Sequence, residues 1–217
     1  MEEENTKKEL EKMYLKVLEN FPMEGTELER TYLRTLENFP EIKRGDIKIK
    51  YLRSTDYALM LMVDPLKFVY ENKVVVDPMI IICDKFLESD EQEKEAMLAH
   101  ELGHYSRYKK RGQSINKIRQ NVNRNMLVKS YNNPSIQAFI TLDPKMAYKV
   151  KRLQKWNMLQ ELYADKRATE AGYGKGMVKL LEKHYSQYYE MLQPTAREEI
   201  ETRIRNLKKL LGEKDDR

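Results

Sequence analysis

Hydrophobic positions change their spacing twice along this chain. In "LEKMYLKVLENFP" (Leu10 to Pro22), Leu10, Tyr14, Val17, Leu18 and Phe21 recur at i, i+4, i+7 and i+8, the stripe of an amphipathic helix. Pro22 closes it, because proline disfavours helix in the residue before it. "LERTYLRTLENFP" (Leu28 to Pro40) repeats the segment eighteen residues on, with its leucine positions, the tyrosine and the closing Asn-Phe-Pro kept. A solenoid needs about three repeats to bury its faces, so two copies predict a helical hairpin over residues 1–45. A pro-segment or a dimerisation arm is the alternative use of the same pair.

From Asp46 the period shortens. "DIKIKYL" alternates apolar and polar residues, "ALMLMV" is continuously apolar, and "KVVVDPMIIICDKF" is rich in β-branched residues, which predicts about three strands. Pro78 cannot donate a ladder hydrogen bond, so the last of these is expected at a sheet edge or bent. After "ESD" the period lengthens again. Ser89 with Gln92 has the form of a capping box, and acids crowd the first turn, so a helix is expected from about Asp90 to Lys110. Further helices are expected near Lys149 to Ala171, Lys175 to Leu192 and Thr195 to Leu211. Strands first and helices after is an α+β order, with the main domain over residues 46–217.

Composition sharpens this outline. With 217 residues, 41% of them hydrophobic, there is material for one compact core with appendages despite 35% charge. The longest apolar runs, such as Ala58 to Val63, fall far short of the roughly 20 residues that span a bilayer. "MEEENTKKEL" is acidic and polar, unlike a secretory signal, and the single cysteine, Cys83, excludes an intrachain disulfide. A cytoplasmic location is the expectation.

The chemistry is concentrated in "AHELGHYSRY" (Ala99 to Tyr108). On a helix, His100 and His104 lie one turn apart on the same face and can aim both rings at one metal ion. Glu101, rotated about 100° from His100, can reach the side of that ion as a base without ligating it. The same residues could equally be the polar face of an ordinary helix, with both imidazoles in water. A catalytic zinc commonly takes three protein ligands and leaves its fourth position to water. "QELYADKRA" offers the third in Glu161, and Asp165, one turn on, has the place of a carboxylate that accepts the free N–H of a ligand histidine. One Zn2+ per chain is therefore expected, with Glu101 taking a proton from the attacking water and returning it to the leaving amine.

"AMLAHELGHY" followed by "ELYADKRATEAGY" resembles the active-site helix and glutamate helix of gluzincin metallopeptidases, particularly the HtpX and CAAX prenyl protease group and their small soluble relatives, the minigluzincins. The resemblance covers about Val74 to Leu211, with specificity at the two motifs. It implies a zincin-like α+β fold, zinc-dependent endopeptidase activity, and a strand before the zinc helix that binds substrate in extended form, a place filled here by "MIIICDKFLES". Many of these relatives carry a C-terminal His-Pro followed by Glu-Arg-Ile/Leu, whose histidine steadies the oxyanion. This chain has Gln193-Pro194 and then "ETRIRNL", with Arg203 and Ile204. His184, or one of Tyr185, Tyr188 and Tyr189, would have to serve instead.

Charge is unevenly placed. Tyr105 to Leu153 holds twelve Lys/Arg against one acid, Asp143. Such a surface attracts acidic peptides, anionic head groups or nucleic acid, and Ile115, Ile118, Val122 and Met126 within it are spaced for a basic amphipathic helix. Two rival readings follow: a regulatory peptidase of the ImmA/IrrE type, which shares a similar histidine motif, and a non-catalytic binding module that holds a partner on the basic face.

Overall fold

The computed structural model describes residues 18–19, 25–52, 60–63, 78–110 and 144–213. They form a small mixed sheet and a larger helical layer, an α+β arrangement. The strands are β1 (Leu18–Glu19), β2 (Lys48–Leu52), β3 (Met60–Val63) and β4 (Pro78–Ile82), in the spatial order β1-β2-β4-β3. β2 and β4 run parallel, with Ile49 opposite Ile80, while β3 is antiparallel to β4 and β1 to β2.

This order corrects the expected edge. β4 is flanked on both sides, and the edge beside it belongs to β3. Pro78 is tolerated because it opens the strand, opposite Val63, where the missing donor costs least. Met79 to Ile82 are all buried, as suits a strand covered on both faces. The strand also stops sooner than expected: after Cys83 the chain turns into a short helix, α2 (Asp84–Glu88), which buries Phe86.

The second copy of the N-terminal repeat is helix α1 (Glu27–Glu37). Thr26 caps it by accepting from the Glu29 N–H, while the Glu29 carboxylate reaches back to the Gly25 N–H at 2.8 Å. Leu28, Tyr32 and Leu36 lie along its buried face, and with Phe39 they join the same core as Ile80, Leu98, Leu102, Met177 and Leu207. The first copy does not repeat this helix throughout. Leu18 and Glu19 are extended and pair with Leu52 and Tyr51, so the expected hairpin is corrected there. The rest of that copy lies outside the described residues.

Helix α3 (Glu91–Lys110) is the axis of the molecule, touching α1, β3, α4 (Pro144–Glu170) and α5 (Gly174–Tyr188). Its cap is Asp90 rather than Ser89: Asp90 Oδ1 accepts from the Glu93 N–H at 2.8 Å, whereas the Ser89 hydroxyl donates to the Lys85 carbonyl. α5 passes into a 3-10 turn at Tyr189–Met191, and α6 (Pro194–Leu210) closes the layer with Ile200, Ile204 and Leu207 turned inward. No helix among the described residues is long and apolar enough to cross a membrane. The basic amphipathic helix expected around Ile115 to Met126 lies outside the described residues.

Candidate metal centre

Ala96 to Ser106 is buried without a break, an unusual environment for a stretch that carries two histidines and a glutamate. His100 and His104 are only 7% and 9% exposed, so they are not the solvated face of a surface helix. Burial of this kind demands partners. The backbone of α4 supplies them because Gly103 lets it approach: a Cβ at Gly103 would stand 2.8 Å from the Ala164 carbonyl oxygen. On α4, Ala164 and Ala168 keep that side of the seam small, and Glu161 and Asp165 reach across it.

Three donor side chains converge there. His104 Nε2 lies 3.1 Å from His100 Nε2, Glu161 Oε2 lies 3.2 Å from His100 Nε2, and Glu161 Oε1 lies 3.5 Å from His104 Nε2. A tetrahedral zinc with bonds of about 2.0–2.1 Å sets its ligands about 3.3 Å apart, so these separations fit one such ion. Among the described residues this is the one cluster of three His, Cys, Asp or Glu side chains that could hold a metal. All three side chains keep a rim open to solvent, at 9, 10 and 17% exposure.

A second layer of charge fixes the first. His100 Nδ1 donates to Asp165 Oδ1 at 2.8 Å, which assigns the proton to that nitrogen and leaves Nε2 with a lone pair. That lone pair then faces a carboxylate oxygen and a second imidazole nitrogen, an arrangement that needs a cation between them. Without a metal, a proton takes the place. Burial opposes charge on His100, but the hydrogen bonds to Asp165 and Glu161 outweigh it and push its pKa up to about 9. Burial drives His104 the other way, to about 4. Glu161 is held well below the usual carboxylate range: burial opposes its charge, and His104 and Arg203 more than offset this.

Arg203 was visible in the sequence but had no role there. It reaches in from α6 and grips the fully buried Asp165 with two bonds, Nε to Oδ2 and Nη2 to Oδ1, both 2.8 Å, and its Nη1 lies 3.2 Å from Glu161 Oε2. The guanidinium thereby orients the proposed third ligand and the partner of the first. A signal existed: Arg203 falls on the Ile200, Ile204, Leu207 stripe, and an arginine on an apolar face implies a buried acid.

Glu101 sits between the two histidines on α3 and is 7% exposed. His184 is not part of the three-donor cluster. It is half-buried on α5 with its ring centroid 4.9 Å from that of Tyr188, and burial, Lys85 and Arg203 all push its pKa down. Tyr188 is occupied by the Lys85 ammonium, which bonds its hydroxyl and lies 5.0 Å from its ring centroid. Tyr185 bonds the Glu201 carboxylate. No protein-family model matches the chain, and no curated protein or solved structure matches it either.

Proposed function

We propose that the chain is a zinc-dependent endopeptidase with a zincin-like arrangement of α3 and α4, in which His100, His104 and Glu161 hold the ion. The observation that carries this reading is the convergence of two buried histidines and the partly exposed Glu161: His104 Nε2 and Glu161 Oε2 lie 3.1 and 3.2 Å from His100 Nε2, and Glu161 Oε1 lies 3.5 Å from His104 Nε2. Zinc in that position would supply a Lewis acid that polarises a peptide carbonyl and lowers the pKa of a water towards about 7. The Glu101 carboxylate accepts the proton of the attacking water and passes it to the leaving amine. Asp165 holds the His100 ring in its tautomer, and Arg203 keeps Asp165 and Glu161 charged in a buried place. His184 enters only as the neutral hydrogen-bond donor nearest in kind to the missing family histidine, and its substitution by Phe separates an effect on kcat from one on KM.

The test is Glu101→Gln, assayed on an unfolded protein such as casein together with its zinc content. Retained zinc with hydrolysis lost supports the reading. Unchanged turnover removes Glu101 from the mechanism, and no hydrolysis by the zinc-loaded parent protein removes the activity.

A further inference from the structure

The side of α4 away from the metal centre carries a stripe of its own. Lys145, Tyr148, Arg152, Trp156, Leu159 and Tyr163 follow one another at i, i+3, i+7, i+11, i+14 and i+18. At about 100° per residue they share one face, opposite Glu161 and Asp165. A stripe turned into the core would be buried. Here Tyr148 is 64% and Leu159 51% exposed, Lys145 and Arg152 stand in solvent, and Trp156 and Tyr163 are partly open. The face is about 27 Å long at 1.5 Å of rise per residue.

Cations alternate with rings along it. The Arg152 guanidinium carbon lies 5.9 Å from the Tyr148 ring centroid. At the other end Arg107 of α3 lies 4.8 Å from the ring centroid of Tyr163, and its Nη1 donates to the Leu159 carbonyl at 2.9 Å. From Pro144 to Gln160, α4 carries five Lys/Arg and no acid. Lys151 and Lys155 line the cleft towards α6, where Glu198 and Glu199 balance them, so the excess belongs to Lys145, Lys149 and Arg152. Neither Lys149 nor Arg152 has a carboxylate partner among the described residues. The next acid along this face is Glu170, beyond Tyr163 and within reach of Lys166 and Arg167.

We propose that this outer face of α4 binds single-stranded nucleic acid, with Tyr148, Trp156 and Tyr163 as stacking platforms for bases and Lys145, Lys149 and Arg152 on the phosphates between them. Exposed rings offer unpaired bases a surface to stack on, and cations at intervals follow the backbone. A duplex keeps its base faces stacked inside, and an acidic peptide would leave the rings unused. A membrane-surface helix needs a broad apolar face, whereas the one aliphatic residue of this stripe is Leu159. The length takes no more than about eight nucleotides at the 3.4 Å of a stacked strand. Binding there requires neither zinc nor hydrolysis, because the face is turned away from the metal centre.

The experiment titrates the full-length protein into fluorescein-labelled oligothymidylate and into a duplex of the same length, read by fluorescence anisotropy. The single strand should bind more tightly. The logarithm of its affinity should fall with that of salt concentration at a slope of about −2 to −3, as expected for three or four phosphate contacts. Tyr148→Ala should weaken binding about tenfold at every salt concentration, while Tyr148→Phe, which keeps the ring, should bind as the parent does. Lys149→Ala/Arg152→Ala should flatten the slope by about 1.4. Lys179→Ala removes a cation of α5 that pairs with Asp90 and should change neither affinity nor slope. No binding at low salt overturns the proposal, as does a duplex bound as tightly as the single strand. So does binding that ignores Tyr148→Ala, which would mean general attraction of a polyanion. Uptake by vesicles of phosphatidylserine and phosphatidylcholine without oligonucleotide binding would also overturn it and assign the face to a membrane surface.

Discussion

The two halves of α4 use charge in opposite ways. From Glu161 to Glu170 the helix is pressed against α3 by small residues, Ala164 and Ala168, and its inward charges are matched: Asp165 by Arg203 and His100, Arg167 by Glu41. From Pro144 to Gln160 the same helix carries only basic charge, and Lys149, Lys151 and Lys155 stand in solvent without a carboxylate partner among the described residues. Buried charge in the first half costs desolvation and is repaid only by close pairing, so it can hold a precise geometry. Exposed charge in the second half costs little and holds nothing in place, which suits attraction of a ligand. Substitutions should therefore weigh very differently on the two halves.

The largest loss is expected from Arg203→Met. It leaves the 0%-exposed Asp165 and the adjacent Glu161 without their cation and should cost about 3–5 kcal/mol in urea unfolding, with weaker zinc retention. Loss of less than about 1 kcal/mol would mean that the network is open to water.

Next comes Glu41, which ties the segment after α1 to both site helices. It accepts from the Ser106 hydroxyl on α3 and from Arg167 on α4, both of whose bonds to it are 3.2 Å. Burial opposes its charge, but these partners outweigh it and lower its pKa from 4.5 to about 2. A depressed pKa stabilises the fold above the unfolded value and is lost as pH falls through the folded one. The gap between parent and Glu41→Gln stability should thus be about 3 kcal/mol above pH 4.5 and close between there and about pH 2. A gap independent of pH would assign the effect to packing.

Gly103→Ala is expected to be milder. The added methyl group meets the Ala164 carbonyl at 2.8 Å, and overpacking less the gain in helix propensity leaves about 1–2 kcal/mol. Its informative readout is zinc affinity, since Glu161 can reach the histidines only if the helices stay close. The smallest effect belongs to the exposed half: Lys149→Ala should move stability by less than about 0.5 kcal/mol. A larger change would show that the basic half is structural after all.

What could be read from the sequence follows the range of each interaction. The placing of His100, Glu101 and His104 on one helix was legible because the relation is local, four residues along a 3.6-residue period. The three strands and the late helices were legible as periods, with ends displaced by a few residues, as where α4 begins at Pro144 and not near Lys149. The place of β4 inside the sheet was not legible, because strand order depends on pairing between distant segments. Nor was the job of Arg203, whose acid lies 38 residues away. The repeat is the sharpest case: in the second copy Leu-Glu-Asn-Phe-Pro ends a helix at Glu37, while Leu18 and Glu19 of the first copy pair as strand with β2. Identical local sequence was overruled by a tertiary contact.

Zinc content of protein purified without added metal is the most direct test of the centre, with His104→Ala and Glu161→Ala purified beside it and folding checked by circular dichroism. A three-donor site predicts about one zinc per parent chain and clear loss in both folded variants. A parent protein that takes up no zinc even on reconstitution would contradict it, and the convergence of His100, His104 and Glu161 would then be a proton-sharing cluster at the heart of a binding protein.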